Sequence, residues 1–526
     1  MTGPDALTPF EGWDIRTLID AKAAERGDHP AMIWEPFEGE GRTWSYARFG
    51  EALRRFAAGL QARGVRPGER VLVHLDNCPE SIISWLGCAY AGAVAVTTNA
   101  RSSQDEVAYF ARHSGAVGAI TQPRFAAMVA KAAPGLRFLC VTETDNGAPP
   151  EADVGAYEPF GAIDADPTGL AERPHDPMAH FAIQYTSGTT ARPKAVLWTH
   201  ANALWGARVS AMHEDLRADD VHLVYLPLFH TNAQVYSVAA AIWAGASFVI
   251  QPKFSASRFW PVSLKHRCTW TSMVPFCIRA LMDQPLPEAH SYRHFGNGIC
   301  APPTDAWFGV KTIGWWGMTE TISQGTVGSP HMADAPLSMG RPSPCYEILV
   351  LDHDMRPVAP GGTGDLYVRG RRGLSLFLEY AHDPAATAAA FTADGLFITG
   401  DKVRVGEDGF LFFSGRSKDM LKVGGENVAA SEIERVIAMV NGVQEVAVVA
   451  RKHPMLDEVP VAFVIPAADD ATLAARIMDA CRDVLADFKR PHEVRLVEGL
   501  PRSTLEKVAK AELRAILAAE AAVSGG

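Results

Sequence analysis

Residues 185–200 read YTSGTTARPKAVLWTH. Thr186, Ser187, Gly188, Thr189 and Thr190 follow Tyr185 without interruption, and Lys194 comes four residues after the last of them. Such a run is poor helix, poor strand and poor core, and between ordered segments it is ordinarily just a loop. It also offers one anion several backbone N–H groups and hydroxyls, with the lysine as a point charge. The flanks, FAIQY before and AVLWTH after, read as strands, so the loop is slung between two rigid elements. The pattern G-x-x-x-x-G-K-[ST] is absent, which excludes an ordinary P-loop. Phosphate binding is one expectation for this stretch and a plain turn is the other.

The elements around it follow from periodicity. RVLVHL at 70–75 reads as a buried strand, a helix runs from Pro79 to about Tyr90, and AVAVTT at 93–98 reads as a second strand. S-Q-D-E from Ser103 is a capping-box signal for a helix ending near His113, and VGAI at 117–120 closes a βαβαβ stretch. Strands alternating with helices favour a parallel sheet. The pattern resumes with VHLVYLPL, ASFVIQ and TWTSMVPF. From about 344 the helices thin out, and YEILVLD and GDLYVRG look like strands of a smaller β-rich region. After Arg416 come a capped helix from Ser431, strands EVAVVA and VPVAFVIP, an amphipathic helix at 471–488, strand EVRLVE and a last helix. That makes an α+β domain of about 110 residues, a size that folds alone. The proline-rich 148–178 stretch reads as a surface loop rather than a linker.

Composition narrows the function classes. At 526 residues the chain exceeds a single core, so two or three domains are expected. A hydrophobic fraction of 48% with 21% charged residues is ordinary for a globular enzyme. The net charge of −11 and the lack of basic blocks argue against nucleic acid and against an anionic membrane surface. No apolar run approaches the ~20 residues of a spanning helix. MTGPDALTPFEGWD has neither a basic n-region nor an apolar h-region, so a cytoplasmic location is expected. The eight cysteines show no C-x-x-C pair and no His/Cys ligand spacing, which fits reduced thiols and not a zinc site.

GWWGMTE at 314–320, TGDKV at 399–403, GRSKDMLKVGGENVAASEIE at 415–434 and PRSTLEKVAK at 501–510 follow in order. With YTSGTTARPKA and LPLFHTN at 226–232 they resemble the adenylate-forming superfamily of acyl-CoA synthetases, adenylation domains and luciferases, over essentially the whole chain. The GNGICAPPTDAWFG and GWWGMTE stretches look most like its crotonobetaine/carnitine-CoA ligase-like branch. The resemblance implies activation of a small or medium carboxylic acid by ATP as acyl-AMP with release of pyrophosphate, then thioester formation with coenzyme A, with Mg2+ present. It implies an α/β fold: a large N-terminal domain of βαβ-type sheets at 1–416, including a small β-rich subdomain at about 340–416, then a small mobile α+β C-terminal domain at 417–526 with a hinge near Lys418.

By the same resemblance Thr186, Ser187, Gly188, Thr189, Thr190 and Lys194 hold the β- and γ-phosphates. Trp316 stands where the family has a tyrosine against adenine, Thr319 meets the α-phosphate, and Glu320 is the Mg2+ ligand. Asp401 takes the ribose hydroxyls with Arg416 beside it. Lys507 reaches the α-phosphate and the attacking carboxylate, and Gly425, in KVGGEN, adjoins the thiol's path. A carboxylate attacking a polyphosphate meets several negative charges, so catalysis rests on positioning and charge neutralisation. His230 is expected at the mouth of the acyl pocket, with Asn297, Gly298, Ile299, Cys300 and Trp315 along its walls.

Departures are visible. Ala191 and Ala195 stand where the family loop commonly has glycine, and Glu506 does so in the lysine motif. An added methyl costs about 1 kcal/mol where φ must be positive and little elsewhere. TDAWFGVKTI is short for the helix the family fits before GWWGMTE, so an unusual acyl pocket is expected. Two other classes stay open here: a stand-alone adenylation enzyme loading a carrier protein, and a nucleotide-binding sensor that has lost catalysis.

Overall fold

In the computed structural model, residues 9–151, 154–186, 193–416, 419–423, 426–485, 487–502 and 508–524 are described. The chain divides into two compact units, residues 1–348 with 368–397, and residues 349–367 with 398–526.

The first unit holds two large sheets. One has eight strands in the order Glu379–Tyr380, Lys194–Thr199, His180–Thr186, Val94–Thr97, Arg70–His74, Ala116–Thr121, Phe138–Val141, Glu158–Pro159. Strand Arg70–His74 pairs in parallel with both Val94–Thr97 and Ala116–Thr121, as the alternating pattern requires. Helix Pro79–Ala91 crosses between the first two, and helix Gln104–Ser114 returns to the third. The latter is capped as its sequence indicates: Ser103 Oγ accepts from Glu106 N, and Glu106 Oε2 accepts from Ser103 N at 2.8 Å.

The other sheet has nine strands, in the order Arg341–Pro342, Thr326–Val327, Lys311–Trp316, His294–Asn297, Trp270–Ser272, Val221–Val224, Ser247–Ile250, Pro30–Trp34, Arg42–Ser45. Its five central pairings, from Lys311–Trp316 across to Pro30–Trp34, are all parallel. Parallel strands buried on both faces need continuous apolar runs, and VHLV, SFVI and KTIGWW supply them. One apolar cluster joins Val71 and Ile120 of the first sheet to Phe248 and Ile250 of the second through helices Tyr46–Ala62, Pro79–Ala91 and His200–His213.

Several expectations are corrected in extent. VHLVYLPL forms a strand only over Val221–Val224, after which the chain enters the segment leading to His230. Residues Asn232–Ala239 form a π-helix continued by Ala240–Ala244, a geometry that the sequence does not announce. In the second unit the helix assigned to start at Ser431 spans Ala430–Ala438, and its N-cap residue Ala429 makes no side-chain cap bond. The amphipathic helix covers Leu473–Val484 rather than 471–488, followed by a 3₁₀ turn at Asp487–Lys489.

Most of the four-stranded sheet Glu347–Leu351, Thr363–Arg369, Phe397–Val405, Leu411–Arg416 belongs to the second unit. That unit also contains a five-stranded sheet in which Asp457–Pro466 pairs with Met420–Val423, with Val443–His453 and with Glu493–Leu496. Among the described residues no helix is long and apolar enough to cross a membrane.

Candidate active site

Parallel α/β sheets present ligand sites beyond the carboxyl ends of their strands. Asn297 and Trp316 end two neighbouring strands of the nine-stranded sheet, and His230 lies six residues past the end of a third.

Strands His180–Thr186 and Lys194–Thr199 are antiparallel, and their register sets Thr186 opposite Lys194 at the neck of the loop. Ser187, Gly188, Thr189 and Thr190 lie outside the described residues, as does Ala191. Ala195 pairs with Tyr185 inside regular strand and is buried, so its methyl group meets no positive-φ requirement.

Tyr380 ties the lysine to the glutamate. Its short strand pairs with Lys194–Thr199, and the Lys194 ammonium sits 4.5 Å from the centre of its ring. Its hydroxyl donates to Glu320 Oε1 at 2.9 Å. Burial and then the Glu320 charge push the phenol's pKa far above its ordinary value, so the tyrosine is a neutral donor. Glu320 is only 4% exposed, so its carboxylate is not a solvated surface charge. A buried carboxylate is a hard oxygen donor of the type that suits Mg2+.

Thr319 and Glu320 occupy a 3₁₀ turn, Thr319–Thr321, just past strand Lys311–Trp316. Their carbonyls accept from Trp198 Nε1 (3.0 Å) and Phe377 N (2.9 Å). The Thr231 hydroxyl donates to Gln184 Oε1 at 2.8 Å and lies 3.3 Å from the Thr319 hydroxyl. Gln184 Nε2 donates in turn to Gln234 Oε1 of the π-helix. Gln184, Gln234 and Tyr380 carry no motif. Gln184 does leave a trace, being the polar residue in the otherwise apolar strand FAIQY, and it is buried.

Trp315 and Trp316 point to opposite faces of their strand, as successive strand residues must. Trp316 is buried and leaves room for no side chain at Gly325, where a Cβ would lie 2.8 Å from its ring. Trp315 lies parallel to Trp270 at 6.2 Å between ring centres, with Tyr236 of the π-helix edge-on at 5.7 Å. His230 is partly exposed and rests against Phe229 at 4.4 Å. Asn297 is buried with Oδ1 accepting from Gly298 N at 2.8 Å, Gly298 is exposed, and Ile299 is half-buried. Cys300 is buried with its thiol 3.7 Å from Ser338 Oγ, and burial pushes its pKa up to about 11. It borders a cleft of about 390 Å³ lined also by Asp305, Lys311, Thr312, His331 and Asp334, a set that includes none of the other expected pocket residues. Helix Pro302–Phe308 before it has two turns, in keeping with the short segment in the sequence.

Asp401 belongs to the second unit. It is buried on strand Phe397–Val405, pairs with Arg416 across the ladder, and donates its N–H to Thr399 Oγ1 at 3.1 Å. Lys418, Gly425, Glu506 and Lys507 lie outside the described residues.

The AMP-binding enzyme family model matches residues 19–381, and the model of the AMP-binding enzyme C-terminal domain matches 432–507. The chain is 35% identical over 521 residues to a crotonobetaine/carnitine–CoA ligase of Escherichia coli O7:K1, covering 96% of this chain and 99% of that one. A crotonobetaine/carnitine–CoA ligase of Shigella flexneri is 34% identical at the same coverage. Among solved structures, the anthranilate CoA ligase AuaEII in complex with anthranoyl-AMP shares the fold at a TM-score of 0.87 and 24% identity, covering 98% of this chain and 99% of the other. ATP-bound MatB from Rhodopseudomonas palustris gives a TM-score of 0.81 at 26% identity, covering 95% and 98%. With both family models matched in order and curated relatives aligned end to end, this chain belongs to the AMP-binding enzyme family.

Proposed function

We propose that this protein is an ATP-dependent acyl-CoA ligase acting in the cytoplasm. A substrate carboxylate oxygen attacks the α-phosphorus of ATP, the bond to the bridging oxygen breaks, and pyrophosphate leaves. The thiol of coenzyme A then attacks the acyl carbonyl, loses its proton, and expels AMP. The observation that carries this reading is the Lys194–Tyr380–Glu320 array, which holds a cation and a buried carboxylate at the neck of the Ser/Thr/Gly loop in a chain of this family.

In this scheme Lys194 and the 186–190 segment neutralise the β- and γ-phosphates, Thr319 meets the α-phosphate, and Trp316 stacks on adenine. Glu320 is the Mg2+ ligand, kept in place by the Tyr380 hydroxyl. Mg2+ held there would supply neutralisation of phosphate charge. Asp401 accepts from the ribose hydroxyls, and Arg416 serves the same end of the nucleotide. Lys507 stabilises the charge of the first half-reaction, and the boundary at 416/417, with Lys418 as pivot, lets the C-terminal domain present Gly425 for the second.

The acid is small or medium in size. The curated relatives are named for crotonobetaine and carnitine, and indole faces receive quaternary ammonium groups well, so a betaine-type acid leads the trial series. The deciding experiment supplies a panel of carboxylic acids with ATP and Mg2+, with and without coenzyme A, and follows AMP, pyrophosphate and thioester. CoA-dependent thioester with stoichiometric AMP is expected. Adenylate formation indifferent to CoA points instead to carrier loading, and no AMP from any acid removes the ligase reading.

A further inference from the structure

Directly after Thr319 and Glu320 the backbone makes a γ-turn of the strained hand. Ile322 has φ 65° and ψ −48°, and Ser323 N donates to Thr321 O at 2.6 Å across it. A β-branched residue with positive φ is an outlier that persists only where its surroundings over-determine it. Here the surroundings are one face of helix His200–His213, a segment that carries none of the family motifs.

Gly206 of that helix makes room for the turn: a Cβ there would lie 2.9 Å from Ile322 Cγ2 and 2.4 Å from Val235 Cγ1. One turn on, Ser210 Oγ is 2.9 Å from Ser323 Oγ, which itself donates to Gln324 Oε1 at 2.8 Å. His213 Nδ1 is 3.1 Å from the same Gln324 oxygen, and its Nε2 is 2.8 Å from Ser343 Oγ. Gln324 Nε2 donates to Glu214 Oε1 at 3.1 Å. This network assigns the His213 proton to Nδ1, because Gln324 Oε1 only accepts. On the other side, Tyr346 OH donates to Thr321 O at 2.5 Å and is itself held by Trp205 Nε1 at 3.1 Å. The Ser323–Gln324 side of Ile322 is therefore pinned directly from the helix and the Thr321 side by Tyr346, which Trp205 of the helix holds, and His213, Ser210 and Ile322 are all buried.

We infer that His213, acting with Ser210 through Ser323 and Gln324, is a positioning residue for the adenylation step: it holds the strained turn at Ile322 and thereby fixes the place of Thr319 and Glu320. Neither His213 nor Ser210 touches the nucleotide; both act through the backbone of 321–324. The inference rests on the roles proposed above for Thr319 and Glu320.

The test compares His213→Ala, His213→Asn and Ser210→Ala with the parent in three measurements. These are amide hydrogen exchange of residues 317–325, kcat and the acid KM for AMP formation, and the urea midpoint. In His213→Ala, exchange at 319–324 speeds up while strand Lys311–Trp316 keeps its protection, kcat falls on the order of tenfold or more, and the acid KM stays within about twofold. The amide of His213→Asn replaces the Nδ1–H donor and restores kcat to within about threefold of the parent. Unchanged exchange and kcat in a folded His213→Ala overturn the inference, as does a His213→Asn no better than His213→Ala. If His213→Ala does not fold, Ser210→Ala decides, since it removes a single hydroxyl: a kcat loss with faster exchange at 319–324 supports the inference, and parental values for both overturn it. A parent that forms AMP from no acid removes the proposed function instead, and the exchange data still decide whether the helix holds the turn.

Discussion

The indole of Trp315 lies across the backbone of Gly296 on the neighbouring strand, so close that a Cβ at Gly296 would stand 1.8 Å from ring atom Cη2. The two are inseparable: the ring has its place only because position 296 has no side chain. Gly296→Ala must push the indole out of its parallel arrangement with Trp270, at about 1–3 kcal/mol for overpacking. The expected result is a reordered ranking in the acid panel, with changes on the order of tenfold per methylene of acid length and an ATP KM close to the parent's. Trp315→Ala, which opens the same space, should move the ranking toward larger acids. A ranking identical to the parent's in both variants would show that the wall of the acyl pocket lies elsewhere.

Tyr380 does two things at once, and two substitutions separate them. Tyr380→Phe removes the hydrogen bond to Glu320 Oε1 but keeps a ring under the Lys194 ammonium. A hydrogen bond to a charged, buried carboxylate contributes about 1.5–3 kcal/mol, so kcat/KM for ATP should fall on the order of 10- to 100-fold. Tyr380→Leu should cost more, because the ring beneath the lysine is lost as well. Pyrophosphate release at varied ATP is the measurement, and a Tyr380→Phe value within twofold of the parent would remove the tyrosine from the site.

For Asp401 the relevant facts are burial and a fixed backbone. The residue follows Gly400, a positive-φ position (74°) within strand Phe397–Val405, and it pairs with Arg416 across the ladder. With Asp401 as the proposed ribose acceptor, Asp401→Ala leaves those hydroxyls unpaired at about 1–3 kcal/mol, so the ATP KM should rise by about tenfold or more while the acid KM holds. Unequal effects on ATP and acid are the signature; parallel losses in both would mark a structural role only.

The legible part of this chain is the part governed by local rules. The strand–helix–strand run from Arg70 to Thr121 and the Ser103 capping box depend on residues within one turn of each other, and they stand as read. The motifs likewise announce Glu320 and Lys194. What links those two is hidden, because Tyr380 reaches Glu320 across 60 residues of sequence and belongs to no pattern. The π-helix at Asn232–Ala239 has the composition of any buried helix, so its wider turn is invisible to periodicity. Ser431 shows the opposite failure: a good capping residue in the right neighbourhood makes no cap, since tertiary packing starts the helix one residue earlier.

Buried histidines give the first unit a pH dependence. Burial lowers the pKa of His74, His200, His213 and His294 to about 4 and of His222 to about 3. Unfolded histidine titrates near 6.5, so between about pH 6.5 and 4 the unfolded chain binds protons that the folded chain refuses. Stability therefore falls as pH drops through that window, by up to about 1.4 kcal/mol per pH unit for each such proton. Urea midpoints should decline already from pH 7 to pH 5, above the carboxylate range. His222→Phe keeps a ring beside Trp270, now 5.9 Å from the imidazole, and binds no proton, so it should flatten the slope by about a fifth. A midpoint that does not change over pH 7–5 would mean that these imidazoles reach water in the native state.

The last prediction concerns the order of events. Lys507 is proposed to meet the α-phosphate and the attacking carboxylate, where two negative groups crowd together only in the first half-reaction. A thiol approaching the adenylate needs that same space, so the lysine must leave before the second half-reaction begins. Lys507→Ala should then nearly abolish formation of acyl-AMP, yet convert supplied acyl-AMP and coenzyme A to thioester at close to the parental rate. Gly425→Leu should do the reverse, since a bulky side chain obstructs the thiol's path while adenylation continues. Lys418→Pro fixes one backbone angle at the proposed pivot and should harm thioester formation more than adenylation. Single-turnover kinetics of each half-reaction in the three variants separate these outcomes. Equal losses in both halves for Lys507→Ala and for Gly425→Leu would show that one fixed arrangement serves both steps, and the alternation would have to be abandoned.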